Sequence, residues 1–204
     1  MESHSAPKPQ TLFAVSTLVI MLIVLLTVWQ KTLHRPDIRG TWTSQKCEGL
    51  LYGQNRPSSY QKQQWTFTGG EWTERIDYYS DADCTITTMS RETHGSYELG
   101  DASDEVEGAT RGEFVFKTIT LTPRTAETAQ VFEQSRCGNA KWEQNVATEV
   151  GGTGCMPMAL PISNCPVGKT IVKREGDILY LGSPTVQSCE RIIGLSTTPL
   201  KKVE

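Results

Sequence analysis

Six cysteines carry the clearest chemistry in this sequence, and all of them follow an apolar N-terminal segment. They are Cys47, Cys84, Cys137, Cys155, Cys165 and Cys189. An even number of cysteines in one small, loop-rich domain predicts disulfide bonds that form in an oxidising compartment. Six cysteines can pair in many ways, and from the residues alone every pairing stays open.

A metal site or free buried thiols are the alternatives to disulfides. No two cysteines have the Cys-x-x-Cys spacing that is common in zinc sites. The histidines are His4, His34 and His94, and they form no cluster with the cysteines. We therefore favour three disulfides, and we expect no metal and no cofactor.

The sequence offers little that could perform catalysis. The Gly-x-Ser-x-Gly motif is absent, and His94 is the only histidine far from the apolar segment. Gly151 to Gly154 is rich in glycine, but no Lys-Ser/Thr pair follows it, so we interpret it as a turn beside Cys155. A carboxylate pair for glycoside hydrolysis stays open as an alternative. We expect that the protein is not an enzyme.

The charge pattern argues against a nucleic-acid partner. The formal net charge is −3, and the basic residues form no stripe interleaved with aromatic residues. The acidic, turn-rich stretch from Gly100 to Gly108 lacks the carboxylate spacing of an EF-hand, so we interpret it as an exposed loop.

The apolar segment from Thr11 to Trp29 contains no charged residue. At about 1.5 Å per residue, a helix of this length covers roughly 28 Å, which matches the hydrocarbon core of a bilayer. A cleaved signal peptide is the alternative, but no small residues stand at the spacing of a cleavage site. We predict a cytoplasmic tail at residues 1–10, a single transmembrane signal anchor at 11–30 and a linker at 31–39.

The two signals for orientation disagree. Lys31, Arg35 and Arg39 follow the apolar segment, whereas Lys8 is the only basic side chain before it, which favours a cytoplasmic domain. The cysteines favour the opposite side, because disulfides persist in oxidising compartments. We give the cysteines more weight and expect the C-terminal domain to be extracellular, lumenal or periplasmic.

Short strands separated by glycine-rich turns dominate the rest of the chain. Glu71 to Tyr79 alternates apolar and polar residues with a period of two, which is typical of a half-buried strand. Further strands are predicted at residues 40–44, 60–68, 85–89, 95–99, 113–122, near 142, and at 169–174, 178–181 and 190–193. Thr125 to Ser135 has helical spacing and predicts one short helix.

Eight or more short strands with little helix indicate a barrel or a sandwich, and a barrel leaves no exposed edge. The interior of an eight-stranded barrel either is filled by side chains or holds one small ligand. Both possibilities stay open here. The candidates for the lining or core are aromatic residues on the predicted strands: Trp42, Trp65, Phe67, Trp72, Tyr78, Phe114, Phe116 and Tyr180.

Several short strings occur in the order found in a known family. They are GTWTSQKCE (Gly40 to Glu48), DYYSDADC (Asp77 to Cys84), GEFVFK (Gly112 to Lys117), LTP (Leu121 to Pro123), CGNAKW (Cys137 to Trp142), TGC (Thr153 to Cys155) and ILYLG (Ile178 to Gly182). Through them, the chain resembles the adenomatosis polyposis coli down-regulated protein family, whose animal members are membrane-tethered Wnt inhibitors.

The resemblance implies a lipocalin-like antiparallel β-barrel. We place this barrel at residues 40–195 and expect a flexible tail at 196–204. The resemblance implies disulfides between Cys47 and Cys84, Cys137 and Cys155, and Cys165 and Cys189. It also implies Wnt binding and negative regulation of Wnt signalling. Together with the cysteines and the aromatic residues on the predicted strands, it leads us to expect a membrane-anchored, extracytoplasmic binding module for a lipid or acyl-bearing ligand. The alternative is a structural or interaction protein of the cell envelope with a filled core and no small ligand.

Overall fold

The computed structural model describes residue 21 and residues 35–50, 59–182, 189 and 194–203. The chain separates into two compact units, Met1–Arg35 and Pro36–Glu204, and the second contains all the elements below. The predicted anchor lies outside the described residues apart from Met21, and it stays a prediction. Within the part that is described, no helix is long and apolar enough to cross a bilayer.

The described residues form ten strands and one α-helix. The strands are β1 (Gly40–Ser44), β2 (Glu48–Leu50), β3 (Ser59–Thr68), β4 (Glu71–Tyr79), β5 (Thr87–Ala102), β6 (Thr110–Pro123), β7 (Thr148–Glu149), β8 (Val167–Glu175), β9 (Ile178–Leu181) and β10 (Leu200–Lys202). The helix is α1 (Ala126–Gln134), and short 3₁₀ turns lie at Cys137–Asn139 and Ile162–Asn164.

Eight of the strands form a closed antiparallel barrel. Strands β1, β3, β4, β5, β6, β8, β9 and β10 neighbour one another in chain order, and β1 pairs with both β3 and β10. This is the up-and-down arrangement, which lipocalins also have. Strand β2 extends the edge of β3, and β7 pairs with β6. The prediction of a mainly β chain with a closed barrel and one short helix is confirmed.

The final strand corrects the predicted flexible tail. Leu200–Lys202 forms β10, which lies between β1 and β9 and closes the barrel. Leu200 is 3% exposed in the barrel core, whereas Lys201 on the other face is exposed. The barrel therefore extends past residue 195, because this short strand supplies the partner that β1 and β9 would otherwise lack.

Strand β5 also differs from the prediction, which placed two separate strands at residues 85–89 and 95–99. The structure has one continuous strand, with an irregularity between His94 and Gly95. A Cβ atom at Gly95 would lie 1.9 Å from the carbonyl oxygen of Val115 and 2.8 Å from Trp72 Nε1. The glycine is thus required by the close approach of β6 and a tryptophan, and it does not mark a turn.

The predicted helix is confirmed as α1. The hydroxyl of Thr125 caps it by accepting a hydrogen bond from the backbone N–H of Thr128, and Ala129 and Phe132 are its buried residues.

The prediction of a strand near Trp142 is wrong. This tryptophan lies in a loop, where its ring packs 4.7 Å from that of Phe132. The predicted strand at 190–193 lies outside the described residues.

Three disulfides fasten the loops to the barrel. Cys47 bonds Cys84, Cys137 bonds Cys155, and Cys165 bonds Cys189, with Cα–Cα distances of 5.8, 4.5 and 5.4 Å. The predicted pairings are confirmed, and three disulfides indicate an oxidising compartment. The two cysteines of each disulfide are separated by 37, 18 and 24 residues in the sequence, respectively. In the chain-entropy model, each stabilises the fold by about 3 kcal/mol.

Asp81 orders the loop between β4 and β5 that carries Cys84. Its carboxylate accepts hydrogen bonds from the backbone N–H of Ile86 at 2.7 Å and of Thr85 at 3.0 Å. These bonds favour the ionised form, and so they lower the pKa of Asp81, with the Ile86 bond as the largest cause.

The stability that Asp81 confers should depend on pH. Because its folded-state pKa is depressed, its contribution is complete above the unfolded pKa of about 3.9 and is lost as pH falls through the folded value. Asp81→Asn should therefore lose less stability than the wild type on acidification below about pH 4. Urea unfolding at a series of pH values measures this, with Asp83→Asn as the control in the same loop. Identical pH dependence of all three proteins would contradict the role of Asp81.

Barrel closure by β10 predicts a large effect for a small change. Leu200→Ala should destabilise the domain by about 2–5 kcal/mol, because it leaves a cavity among the core residues at the seam. Lys201→Ala is the matched control, and its effect should stay within about 0.5 kcal/mol. Denaturant unfolding of the two variants measures the difference. Equal stability of both variants would show that β10 does not close the barrel.

Candidate binding site in the barrel interior

Alternate residues of each strand point into the barrel, and in one part of the interior most of these inward side chains are aromatic or large and apolar. The rings of Trp65 and Trp72 stack with centroids 5.3 Å apart, and Phe114 lies edge-on to Trp72 at 5.4 Å. We name the whole set the aromatic cluster. Its buried residues are Ile38, Trp42, Trp65, Phe67, Trp72, Phe114, Val172, Leu179, Leu181 and Leu200.

Trp42 lies at the seam between the first and last strands and is completely buried. Its indole N–H donates a hydrogen bond to the carbonyl of Ile38 at 2.7 Å. The guanidinium of Arg174 and the ammonium of Lys202 lie 5.5 and 5.6 Å from the centre of its ring. A cation over an aromatic face is favourable, so these two contacts help to hold β1 against β8 and β10, while the hydrogen bond to Ile38 fastens the segment before β1.

The structure places most of the predicted aromatic residues inside the barrel. Trp42, Trp65, Phe67, Trp72 and Phe114 are buried together in the aromatic cluster. Phe116 is partly buried against it, and Tyr78 is buried in a second cluster, described below. That they are core residues follows from their burial, whereas a role in binding a ligand stays a prediction.

Tyr180 does not belong to the interior. Its neighbours in β9, Leu179 and Leu181, are buried, and strand alternation therefore points Tyr180 outward. It pairs across the sheet with Lys173, which is on the same outer face. Its inclusion among the lining residues is wrong.

A second cluster connects the other part of the interior to the helix and the loops after it. Barrel residues such as Ile76 and Leu121 pack there with Phe132 of α1 and with Trp142. A loop at residues 151–162, which we name the cap, also contributes. The cap is closed by a hydrogen bond from the Ile162 N–H to the Gly151 carbonyl at 2.7 Å.

A small cavity lies where the two clusters meet. Its volume is about 20 Å³, which is room for one water molecule. Its lining residues are Trp65, Trp72, Glu74, Arg91, Thr93, Phe116, Ile119, Met158 and Ala159. Most of these side chains are apolar, and Met158 and Ala159 belong to the cap. Around this cavity, the described side chains therefore fill the barrel interior.

An ion pair faces this cavity from two adjacent strands. Arg91 Nη2 lies 2.9 Å from Glu74 Oε2, and the two side chains are only 11% and 10% exposed. Arg91 also donates a hydrogen bond from Nη1 to the carbonyl oxygen of Met158 at 3.2 Å. The same guanidinium thus bonds both the barrel wall and the cap.

Sequence reasoning missed this pair, although the strand pattern contains it. Glu74 stands between Trp72 and Ile76 at the inward spacing of β4, and Arg91 stands between Met89 and Thr93 at that of β5. A charged residue in an inward position is the signal that could have identified both. The prediction instead considered only aromatic residues on those strands.

Other polar side chains extend from the edge of the barrel toward the interior. Gln61 and Gln63 of β3 each donate a side-chain hydrogen bond to Glu48 Oε2 at 3.3 Å. Gln63 also accepts one from the indole N–H of Trp65 at 3.4 Å. These bonds link β2 to the tryptophan that lines the cavity.

No group of three or more histidine, cysteine, aspartate and glutamate side chains in the described part of the chain could hold a metal ion. Two wider depressions lie on the outer surface, one beside Lys201 and the other beside Glu98. Most of the residues that line them are polar or charged, whereas typical ligand pockets are lined mainly by apolar and aromatic residues. The interior cavity is therefore the candidate site.

The energy of the buried pair can be measured with a double-mutant cycle. Arg91→Met should cost about 3–5 kcal/mol, because it leaves the Glu74 carboxylate buried without its partner charge, whereas Glu74→Gln/Arg91→Met should regain most of that loss. Arg75→Met, on the outer face beside Asp77, is the control and should cost at most about 1 kcal/mol. If the Arg91 and Arg75 variants were equally stable, the pair would not be buried as described.

The chain matches the model of a known protein family. A model of the family described as adenomatosis polyposis coli down-regulated 1 matches residues 27–152, which include β1 to β7 and α1. No curated protein matches the chain.

Proposed function

Because the chain belongs to the adenomatosis polyposis coli down-regulated 1 family, we propose that it is a binding module that works outside the cytoplasm. The three disulfides support this location. The proposal includes attachment to the membrane by residues 11–30 and a role in binding rather than catalysis. It includes no nucleic-acid partner.

The proposed ligand is a lipid or another molecule that carries an acyl chain. The observation that supports it is the interior cavity, which has apolar walls and a few polar groups that converge on it, as small-molecule sites do. Trp65, Trp72 and Phe116 supply large apolar surfaces on one side. Glu74, Arg91 and Thr93 supply the polar groups.

The size of the cavity determines how such a ligand must enter. Typical ligand pockets have volumes of roughly 300–1,000 Å³, and about 20 Å³ is far below that range. Met158 and Ala159 occupy the space beside the cavity, and they lie on a loop instead of a barrel strand. An acyl chain would therefore take their place when the cap moves away, while the barrel strands keep their pairing.

A filled-core interaction protein is the second candidate. The small cavity favours it directly, because a packed interior needs no ligand for stability. In that case the barrel is a rigid scaffold and a partner binds its outer surface. The two candidates differ in whether the interior ever admits a ligand.

Native mass spectrometry of the full chain, extracted with a mild detergent, tests the acyl ligand. We expect a bound species with the mass of one acyl-bearing lipid. Thr93→Leu should reduce its occupancy, because this larger side chain lies on β5 and stays in the site when the cap moves away, whereas Val115→Leu on the outer face should leave it unchanged. A protein free of lipid in all three forms, also after incubation with lipid, would favour the filled-core candidate.

The family membership further supports a lipidated Wnt protein as the acyl-bearing partner and inhibition of Wnt signalling as the result. A cell reporter of Wnt signalling tests this when the full chain is expressed on the same cells. The signal should fall with increasing expression of the wild type and of Val115→Leu, and less with Thr93→Leu. An unchanged signal at every expression level would remove Wnt as the partner.

A further inference from the structure

The buried ion pair has a cost that the fold does not require. Removing an arginine and a carboxylate from water costs several kcal/mol for each ion, and well-packed apolar residues often replace such a pair without loss of stability. The surroundings of Glu74 and Arg91 are otherwise suited to apolar residues, since Trp65, Ile119 and Met158 line the same cavity. The pair is therefore better explained by ligand recognition than by stability.

Arg91 has the chemistry to recognise an anion. Its guanidinium is planar and permanently charged, and it presents several N–H donors in a geometry that fits a carboxylate. In the closed barrel, Nη2 is used by Glu74 and Nη1 by the carbonyl oxygen of Met158. The second acceptor is neutral, and it belongs to the cap.

We propose that Arg91 binds the carboxylate of a fatty acid, which replaces the Met158 carbonyl at Nη1 and thereby releases the cap. This inference rests on the proposed function, because it assigns the head group of the ligand in the same interior site. A charged acceptor forms a stronger hydrogen bond with a guanidinium than a neutral carbonyl does. Release of Met158 also clears the space that the acyl chain needs.

Glu74 sets the strength of this interaction. Its carboxylate already neutralises part of the charge of Arg91 and lies 2.9 Å away, so it repels a second carboxylate. Replacing Glu74 with glutamine should therefore increase the affinity for a fatty acid. The assignment also separates ligands by head group, because an ester has no charge to exchange for the Met158 carbonyl. An acyl chain esterified to a protein should therefore bind this site more weakly than a free fatty acid does.

The test compares dodecanoate with methyl dodecanoate, which differ only in the head group. The full chain is reconstituted in nanodiscs, and its tryptophan fluorescence is titrated, because Trp65 and Trp72 line the cavity. Empty nanodiscs supply the blank. We expect dodecanoate to bind the wild type about tenfold more tightly than the ester, since hydrogen bonds to charged acceptors are about twice as strong.

Variants separate recognition by Arg91 from general apolar binding. Glu74→Gln should bind dodecanoate more tightly than the wild type does. Glu74→Gln/Arg91→Met, which leaves no unpaired charge in the core, should bind the acid and the ester equally. Arg75→Met is the matched control on the outer face, and it should keep the wild-type preference for the acid.

The possible results distinguish this inference from the proposed function. If the wild type and the double variant both bind the acid and the ester with equal affinity, the interior site exists but Arg91 does not select the head group. If neither compound binds any of the proteins, the acyl site itself is wrong, and the inference is wrong with it.

Discussion

Closure of the barrel through β1 is the constraint on which the rest of the structure depends. This five-residue strand pairs with β3 on one side and with the short β10 on the other, so it joins the beginning of the domain to its end. Closure gives β1 a partner on both sides and encloses an interior in which the described side chains are closely packed. Trp42 marks the seam, with its ring buried and two cations above it.

The enclosed interior combines two kinds of packing that serve different purposes. The aromatic cluster consists of rings in stacked and edge-on contacts, which fix a single arrangement of the strands around it. The second cluster is shared with α1 and the loops, and it is fastened by the disulfide between Cys137 and Cys155. The pair of Glu74 and Arg91 lies at the cavity between them. In the proposed function, the cap moves away from the aromatic wall, and a barrel that is filled when closed thereby admits a ligand.

Strand alternation made much of this fold predictable, and its failures have physical causes. The pattern from Glu71 to Tyr79 gave β4 with the correct bounds, and the helix after β6 followed from its spacing. Strand β10 has only three residues, which is too short for an alternating pattern to be recognised in the sequence. Only its pairing with β1 and β9 identifies it as a strand. Gly95 resembles a turn residue in the sequence, yet it is a contact point between strands. Tyr180 lies on the outer face of its strand although it is aromatic, and Glu74 is buried on the inner face of its strand although it is charged. The face of the strand that a residue occupies therefore decides its burial here.

Hydrogen–deuterium exchange of the full chain, with and without dodecanoate, tests most directly whether a closed barrel admits a ligand beneath its cap. The account predicts faster exchange of backbone amides in residues 151–162 when the fatty acid is present, while amides of β3 to β6 stay protected. The amides of Cys155 and Ala159, which bond each other's carbonyls at 2.7 and 2.8 Å, are the most informative. Unchanged exchange in the cap at saturating dodecanoate, or loss of protection along β1 and β10, would contradict entry through the cap.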